Sequence, residues 1–155
     1  MKNSIKEIRA LTIVQPWAQC ITDFGKNVEN RSWNTHFRGY FAIHASQKKE
    51  PARFENCRHS YKVKLTPDEV PYGAIIGFAE LVDVVNKKTL KPHTKKWFEG
   101  EHGFELANTI RLKKPVKVRG ALNFWKLSEA ELDEALAQLT PAQINKISAK
   151  QMHNG

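Results

Sequence analysis

Apolar residues along this chain fall into short groups whose period changes from one group to the next. "LTIV", Leu11–Val14, is a brief continuous run and predicts a strand. In "QPWAQCITDFG", Trp17, Cys20, Ile21 and Phe24 recur at helical spacing. Pro16 suits the first turn of that helix and Gly25 its C-terminal cap. "KNVENR" reads as a strand, and so does "GYFAIHAS", Gly39–Ser46. In the latter, Phe41, Ile43 and Ala45 share one face, and Tyr40, Ala42, His44 and Ser46 share the other. "EPARFENCRHSY" predicts a second helix with Pro51 near its start.

After the turn-rich "TPDEVPYG", a long strand covers Ala74–Val85, with Gly77 as a bulge or bend. "NKKTLKPHTKKWFEGEHG" reads as a basic loop containing one helical turn. "FELANTIRLKKPVKV" and "RGALNFWKLS" predict further strands, broken at Lys114–Pro115. Ser128 and Glu131 then form a capping box ahead of Leu132, Leu136 and Leu139, and Thr140, Pro141 and Gln143 repeat the device. "SAKQMHNG" reads as a frayed end. The sum is α+β: five or six strands, two early helices and a helical C-terminus. So many short strands predict a small closed barrel, because closure removes exposed edges.

Composition narrows the class. The 155 residues are 41% hydrophobic, enough for one domain with a packed core. No apolar run approaches the roughly 18 residues of a membrane span, and "MKNSIKEIRA" lacks the apolar core of a signal peptide. Cys20 and Cys57 have no metal-type spacing, and two isolated thiols fit a reducing cytoplasm. The six histidines show no ligand spacing either, so no metal and no cofactor are expected. The formal charge is +9. Residues 1–66 carry 12 basic and 5 acidic side chains, residues 67–127 carry 11 and 7, and residues 128–155 carry 2 and 4. The excess therefore belongs to the body of the domain, which is the footprint of a polyanion binder. Lys113, Lys114, Lys117 and Arg119, with Lys87, Lys88, Lys91, Lys95 and Lys96, are available either for phosphate contacts or as solvated strand edges.

"GKNVENRSW", Gly25–Trp33, carries the candidate chemistry. On a strand, Glu29 and Arg31 point to one side and can pair, and Trp33 keeps that parity if the strand continues. Lys26 has the opposite parity and joins them only if the turn at Gly25 redirects it. The alternative is a solvated face with a surface salt bridge of little energetic weight. Indoles beside Arg and Lys are suited to stacking nucleobases, whereas Trp17 and Trp33 serve equally as core residues.

These stretches together resemble the ASCH domain, the module named for activating signal cointegrator-1 homology. "LTIVQPWAQCITDFGKNVENRSWNTHFRGYFAIHAS", residues 11–46, resembles its signature, in the coactivator-like "QPWA…GK..E.RSW" form. "YGAIIGFAELVDV", "FELANTIRLKKPVKVRG" and "NFWKL" resemble its later strands. The resemblance implies a PUA-like barrel over residues 1–127, with its core at about 10–127, and makes residues 128–155 a helical extension packed on it. It implies a cleft built from Lys26, Glu29 and Arg31 with Gln15, Pro16 and Trp17 as a wall. Ser32, Trp33, Arg38, His44 and Ser46 are the further ligand candidates within the matched motifs.

The function so implied is nucleic-acid binding, with single-stranded RNA as partner and the cleft taking a base or nucleotide. The alternatives are a hydrolase and a protein-interaction module in transcriptional or translational control. Some small ASCH relatives are similar to amidohydrolases that deacylate N4-acetylcytidine, with a lysine, a threonine nucleophile three residues on and a later glutamate. Here Lys26 matches the lysine, but Glu29 stands where the threonine would be, and a carboxylate does not replace a hydroxyl that must be acylated and released. A metal-independent ribonuclease would need a paired acid and base. Lys26, Glu29 and His44, with His36 and Tyr40, are the side chains able to supply them.

Overall fold

The computed structural model describes residues 5–154, and their side chains as far as Gln151. The elements run β1 (Arg9–Ile13), α1 (Trp17–Asp23), β2 (Val28–Arg31), β3 (Gly39–Ala45), α2 (Pro51–Tyr61), β4 (Ala74–Val85), β5 (His102–Lys117), β6 (Phe124–Lys126), α3 (Glu129–Leu136) and α4 (Pro141–Asn154). Single 3-10 turns lie at Pro67–Glu69 and at Pro92–Thr94, the second inside the basic loop as expected. The strands form one sheet in the order β2-β5-β4-β3-β1-β6. β1 and β3 run parallel, and every other pair is antiparallel. The register shifts between Ile75 and Gly77, where a bulge was expected.

All seven residues of β3 are buried, because both faces of the sheet are covered. The faces sort as the alternation predicts. Phe41, Ile43 and Ala45 pack inside the curl with Leu11, Ile13, Phe104 and α1. Tyr40 and Ala42 pack on the outer face under Leu132, Leu136 and Ile147 of α3 and α4. Each such apolar side chain contributes about 1.5–3 kcal/mol on burial, and these contacts hold the terminal helices on the sheet. Both capping boxes form: Ser128 Oγ accepts from Glu131 N–H, and Thr140 Oγ1 accepts from Gln143 N–H.

Three expectations change. β5 does not break at Lys114–Pro115 but runs on to Lys117. Its first residues lie between β2 and β4, but past Glu105 only β4 and not β2 pairs with it, so Pro115 sits where one edge has no strand partner and its missing N–H costs no ladder bond. The Gln138 amide fills in beside it, accepting from Lys114 N–H and donating to Lys114 O, both at 2.8 Å. The barrel is a curled sheet whose end strands β2 and β6 share no ladder. Aromatic side chains fill that gap instead: Phe124 of β6 lies 6.3 Å from Phe104 of β5, 5.8 Å from Phe41 and 4.7 Å from Phe37. Finally, Ser148–Gln151 are not frayed but continue α4, which Ile144 and Ile147 anchor on the outer cluster. Gly155 lies outside the described residues.

Candidate functional site

β2 is too polar to be an ordinary strand because two of its four side chains build a site. α1 ends at Asp23, and Gly25 turns the chain at φ +72°, a backbone region that glycine enters without steric penalty. The Lys26 N–H still reaches Cys20 O at 3.0 Å, so the turn is fastened to the helix end. It brings the Lys26 side chain round to the side of Glu29 and Arg31. Lys26 Nζ donates to Val28 O and to Glu29 Oε1, the latter at 3.3 Å. Arg31 Nη2 lies 3.1 Å from Glu29 Oε2 and donates to Thr12 O at 2.7 Å. Glu29 is thus held between two cations with each oxygen engaged. Lys26 is 4% and Glu29 6% exposed, which makes these charge-assisted contacts far stronger than a surface pair.

A cleft of about 340 Å³ opens over this triad. Its walls come from Trp17 on α1, Arg53 and Tyr61 on α2, and Trp97 in the loop before β5. The rings support one another: Tyr61 stacks on Trp97 at 4.2 Å and 16°, and Trp17 meets Tyr61 edge-on at 5.8 Å. Lys26 Nζ stands 5.9 Å from the Trp17 ring centre, and Lys96 Nζ stands 5.2 Å from that of Trp97. Burial, with the Glu99 carboxylate nearby, pushes the Tyr61 hydroxyl up to about 12, so it is a donor at neutral pH. Asn30 fixes the loop, donating to Trp97 O and accepting from Glu99 N–H, both at 2.8 Å. The result is a polar floor with net positive charge between aromatic walls, large enough for one base or small nucleotide. Among the described residues, no group of three or more His, Cys, Asp or Glu side chains is placed to hold a metal ion.

The other candidates from the sequence lie elsewhere. Gln15 is fully buried, donating to Pro71 O at 3.0 Å and accepting from Gln19 N–H at 2.9 Å, so it secures the start of α1. Ser32 is exposed beyond the end of β2. Trp33 turns into the core, 5.2 Å from Phe104 and 5.9 Å from Phe124, and is not available for stacking in the cleft. Arg38 binds its own loop through Thr35 O and Phe37 O and faces Asp83 at 3.8 Å. Ser46 Oγ accepts from Lys48 N–H in the turn after β3.

His44 has no exposed surface. Its Nε2–H donates to Val118 O at 2.7 Å, and its Nδ1 accepts from the Thr12 hydroxyl at 3.1 Å. Burial holds this imidazole below its ordinary range, hence neutral. Tyr40 is buried on the outer face of the sheet. Of the loop lysines, Lys91 is committed to Asp83 at 2.8 Å and Glu105 at 2.6 Å. Sequence reasoning did not find Arg53, Tyr61 or Trp97. Their only signal was a helix, α2, with two buried residues and an otherwise polar surface, and an indole within a basic loop.

The family model of the ASCH domain matches residues 11–116. The human and mouse proteins named activating signal cointegrator 1 are 28% and 26% identical to this chain over 126 residues. Those alignments take in 76% of this chain but 22% of each relative, so the chain spans about a fifth of their length. Among solved structures, ASCH from Zymomonas mobilis superposes with a TM-score of 0.52 at 16% identity, over 85% of this chain and 95% of that one. Its S128A mutant gives 0.50 at 15%, over 83% and 94%. At these identities the likeness concerns the fold.

Proposed function

This chain belongs to the ASCH domain family, and from that premise we propose that it binds single-stranded RNA, with one base or nucleotide seated in the cleft. The supporting observation is the pairing of Trp17 and Tyr61 with the Lys26–Glu29–Arg31 floor in one cleft of a +9 chain. A base stacks on an aromatic face of the cleft wall whatever its identity, and the floor then offers donors from Lys26 and Arg31 beside a carboxylate acceptor. Surface lysines outside the cleft hold phosphates and release counterions.

Fluorescence anisotropy with labelled single-stranded oligoribonucleotides tests this. Log affinity is expected to fall steeply and linearly with log salt. Trp17→Ala is expected to weaken binding by roughly 5- to 150-fold, the equivalent of about 1–3 kcal/mol for a stacked base. A salt-independent affinity, or full affinity in Trp17→Ala, overturns the reading.

A hydrolytic reading finds less support. Glu29 occupies the position of the acylated hydroxyl, and both ring nitrogens of His44 are engaged in the protein interior. No release of cytidine from N4-acetylcytidine is expected. Turnover abolished by Lys26→Ala would replace the binding module with an enzyme.

A further inference from the structure

Behind the aromatic wall of the cleft lie the chain's two cysteines. Cys20 sits on α1, three residues after Trp17, and Cys57 on α2, four residues before Tyr61. Both thiols are free and buried, and their sulfurs are 3.5 Å apart in a thiol–thiol hydrogen bond. They pack against Val28, Val63 and Trp97, with Trp17 and Tyr61 alongside, and three of these, Trp17, Tyr61 and Trp97, also line the cleft. We propose that Cys20 and Cys57 are an oxidisable dithiol, a modification site for small hydroperoxides, whose disulfide fastens α1 to α2.

The arrangement divides the roles. Either thiol can donate in this contact; with the Cys20 S–H as donor, the hydrogen bond holds the Cys57 thiol below its ordinary range and Cys20 above it, and the nearby Lys26 ammonium favours the thiolate of both. Cys57 is therefore the nucleophile. Its thiolate attacks one oxygen of hydrogen peroxide, the O–O bond breaks, and hydroxide leaves, giving Cys57 sulfenic acid. The Cys20 sulfur then loses its proton and attacks the Cys57 sulfur. The S–S bond forms as the S–O bond breaks, and the departing hydroxide takes up a proton as water. Two thiols and one peroxide thus become one disulfide and two waters. Burial favours an oxidant of this size over a bulky one such as glutathione disulfide, and contact between the sulfurs favours closure over further oxidation. The bond joins the helices that carry Trp17, Arg53 and Tyr61, closing a chain segment that the denatured state would otherwise leave unconstrained.

The test uses the intact chain, hydrogen peroxide in modest excess, and glutathione disulfide as the second arm. Expected with peroxide are the joint loss of both thiols under denaturing conditions, a mass lower by two hydrogens, a monomer on a non-reducing gel, and a melting temperature raised by several degrees. Dithiothreitol should restore the thiols, the mass and the melting temperature. Glutathione disulfide should leave the folded protein unchanged, and Cys20→Ala should show no peroxide-induced rise in melting temperature. Two titratable thiols after peroxide, oxygen added at Cys20 or Cys57 in peptide mass spectra, or covalent dimers would each overturn the proposal. These readouts need no RNA, so they stand or fall separately from the nucleic-acid reading.

Discussion

Two buried polar clusters meet at β1, and Thr12 belongs to both. Its carbonyl accepts from Arg31, which joins it to the Lys26–Glu29–Arg31 floor. Its hydroxyl accepts from Trp125 Nε1–H at 3.1 Å and donates to His44 Nδ1. The second cluster is the tighter one. Thr12 and His44 are cross-strand partners, and a Cβ on Gly120 would come within 2.7 Å of both His44 Cε1 and Thr12 Oγ1, so nothing larger than glycine fits there without movement. Each donor and acceptor named in it is paired inside the protein. The first cluster carries net charge and faces a cleft. A buried polar group becomes a binding site when capacity is left over on a side that a ligand can reach, and polarity and burial alone do not distinguish the two clusters.

The two clusters should differ most at Glu29. Removing the carboxylate in Glu29→Ala leaves two cations close together with no counter-charge, and a loss of about 3–5 kcal/mol is expected in denaturant melts. Glu29→Gln keeps the shape and one accepting oxygen, while its NH2 turns a donor toward the other cation, so it should lose less stability than Glu29→Ala while still weakening RNA binding. If Glu29→Gln unfolds the chain as readily as Glu29→Ala and folded protein binds normally, the floor is structural like its neighbour.

His44→Leu is the matching cut in the closed cluster. It leaves Val118 O and the Thr12 hydroxyl short of partners, and a loss of about 2–3 kcal/mol is expected, with oligonucleotide affinity unchanged in the folded protein. Reduced affinity in folded His44→Leu would join the two clusters into one site.

The same histidine gives a signature in pH. Burial lowers its folded-state pKa from the ordinary 6.5. Below that value the unfolded chain takes up a proton that the folded chain resists, so the stabilisation is complete above 6.5 and drains away as pH falls toward the folded value. Melting temperatures from about pH 7.5 to about pH 5 should therefore decline more in wild type than in His44→Leu. The smallest expected effect is Ser32→Ala, within about 0.5 kcal/mol in stability and without consequence for binding, since Ser32 is exposed outside the cleft.

What could be read from the sequence was governed by distance along the chain. Capping boxes, the two faces of β3 and the pairing of Glu29 with Arg31 are local relations, and all are present. Lys26 was ambiguous because a single positive φ at Gly25 decides where its side chain goes. Trp33 misled because β2 ends at Arg31, after which parity no longer holds and the indole drops into the core. Arg53, Tyr61 and Trp97 stand 22 or more residues beyond Arg31, and only tertiary packing brings them to the cleft. Pro115 was read as a breaker because a sequence does not show which half of a strand has only one neighbour.

The place of β1 in the sheet also bears on how the molecule comes into being. Its neighbours are β3, completed at Ala45, and β6, which begins at Phe124. During synthesis the earliest strand can take one partner early but must wait for nearly the whole domain before its other edge is covered. Contacts between Arg9–Leu11 and Phe124–Lys126 are among the most distant in sequence that the fold contains, and such contacts raise contact order and slow the final step of folding. Until then the nascent chain presents a bare strand edge, and the aromatic seam around Phe124 is missing one of its members.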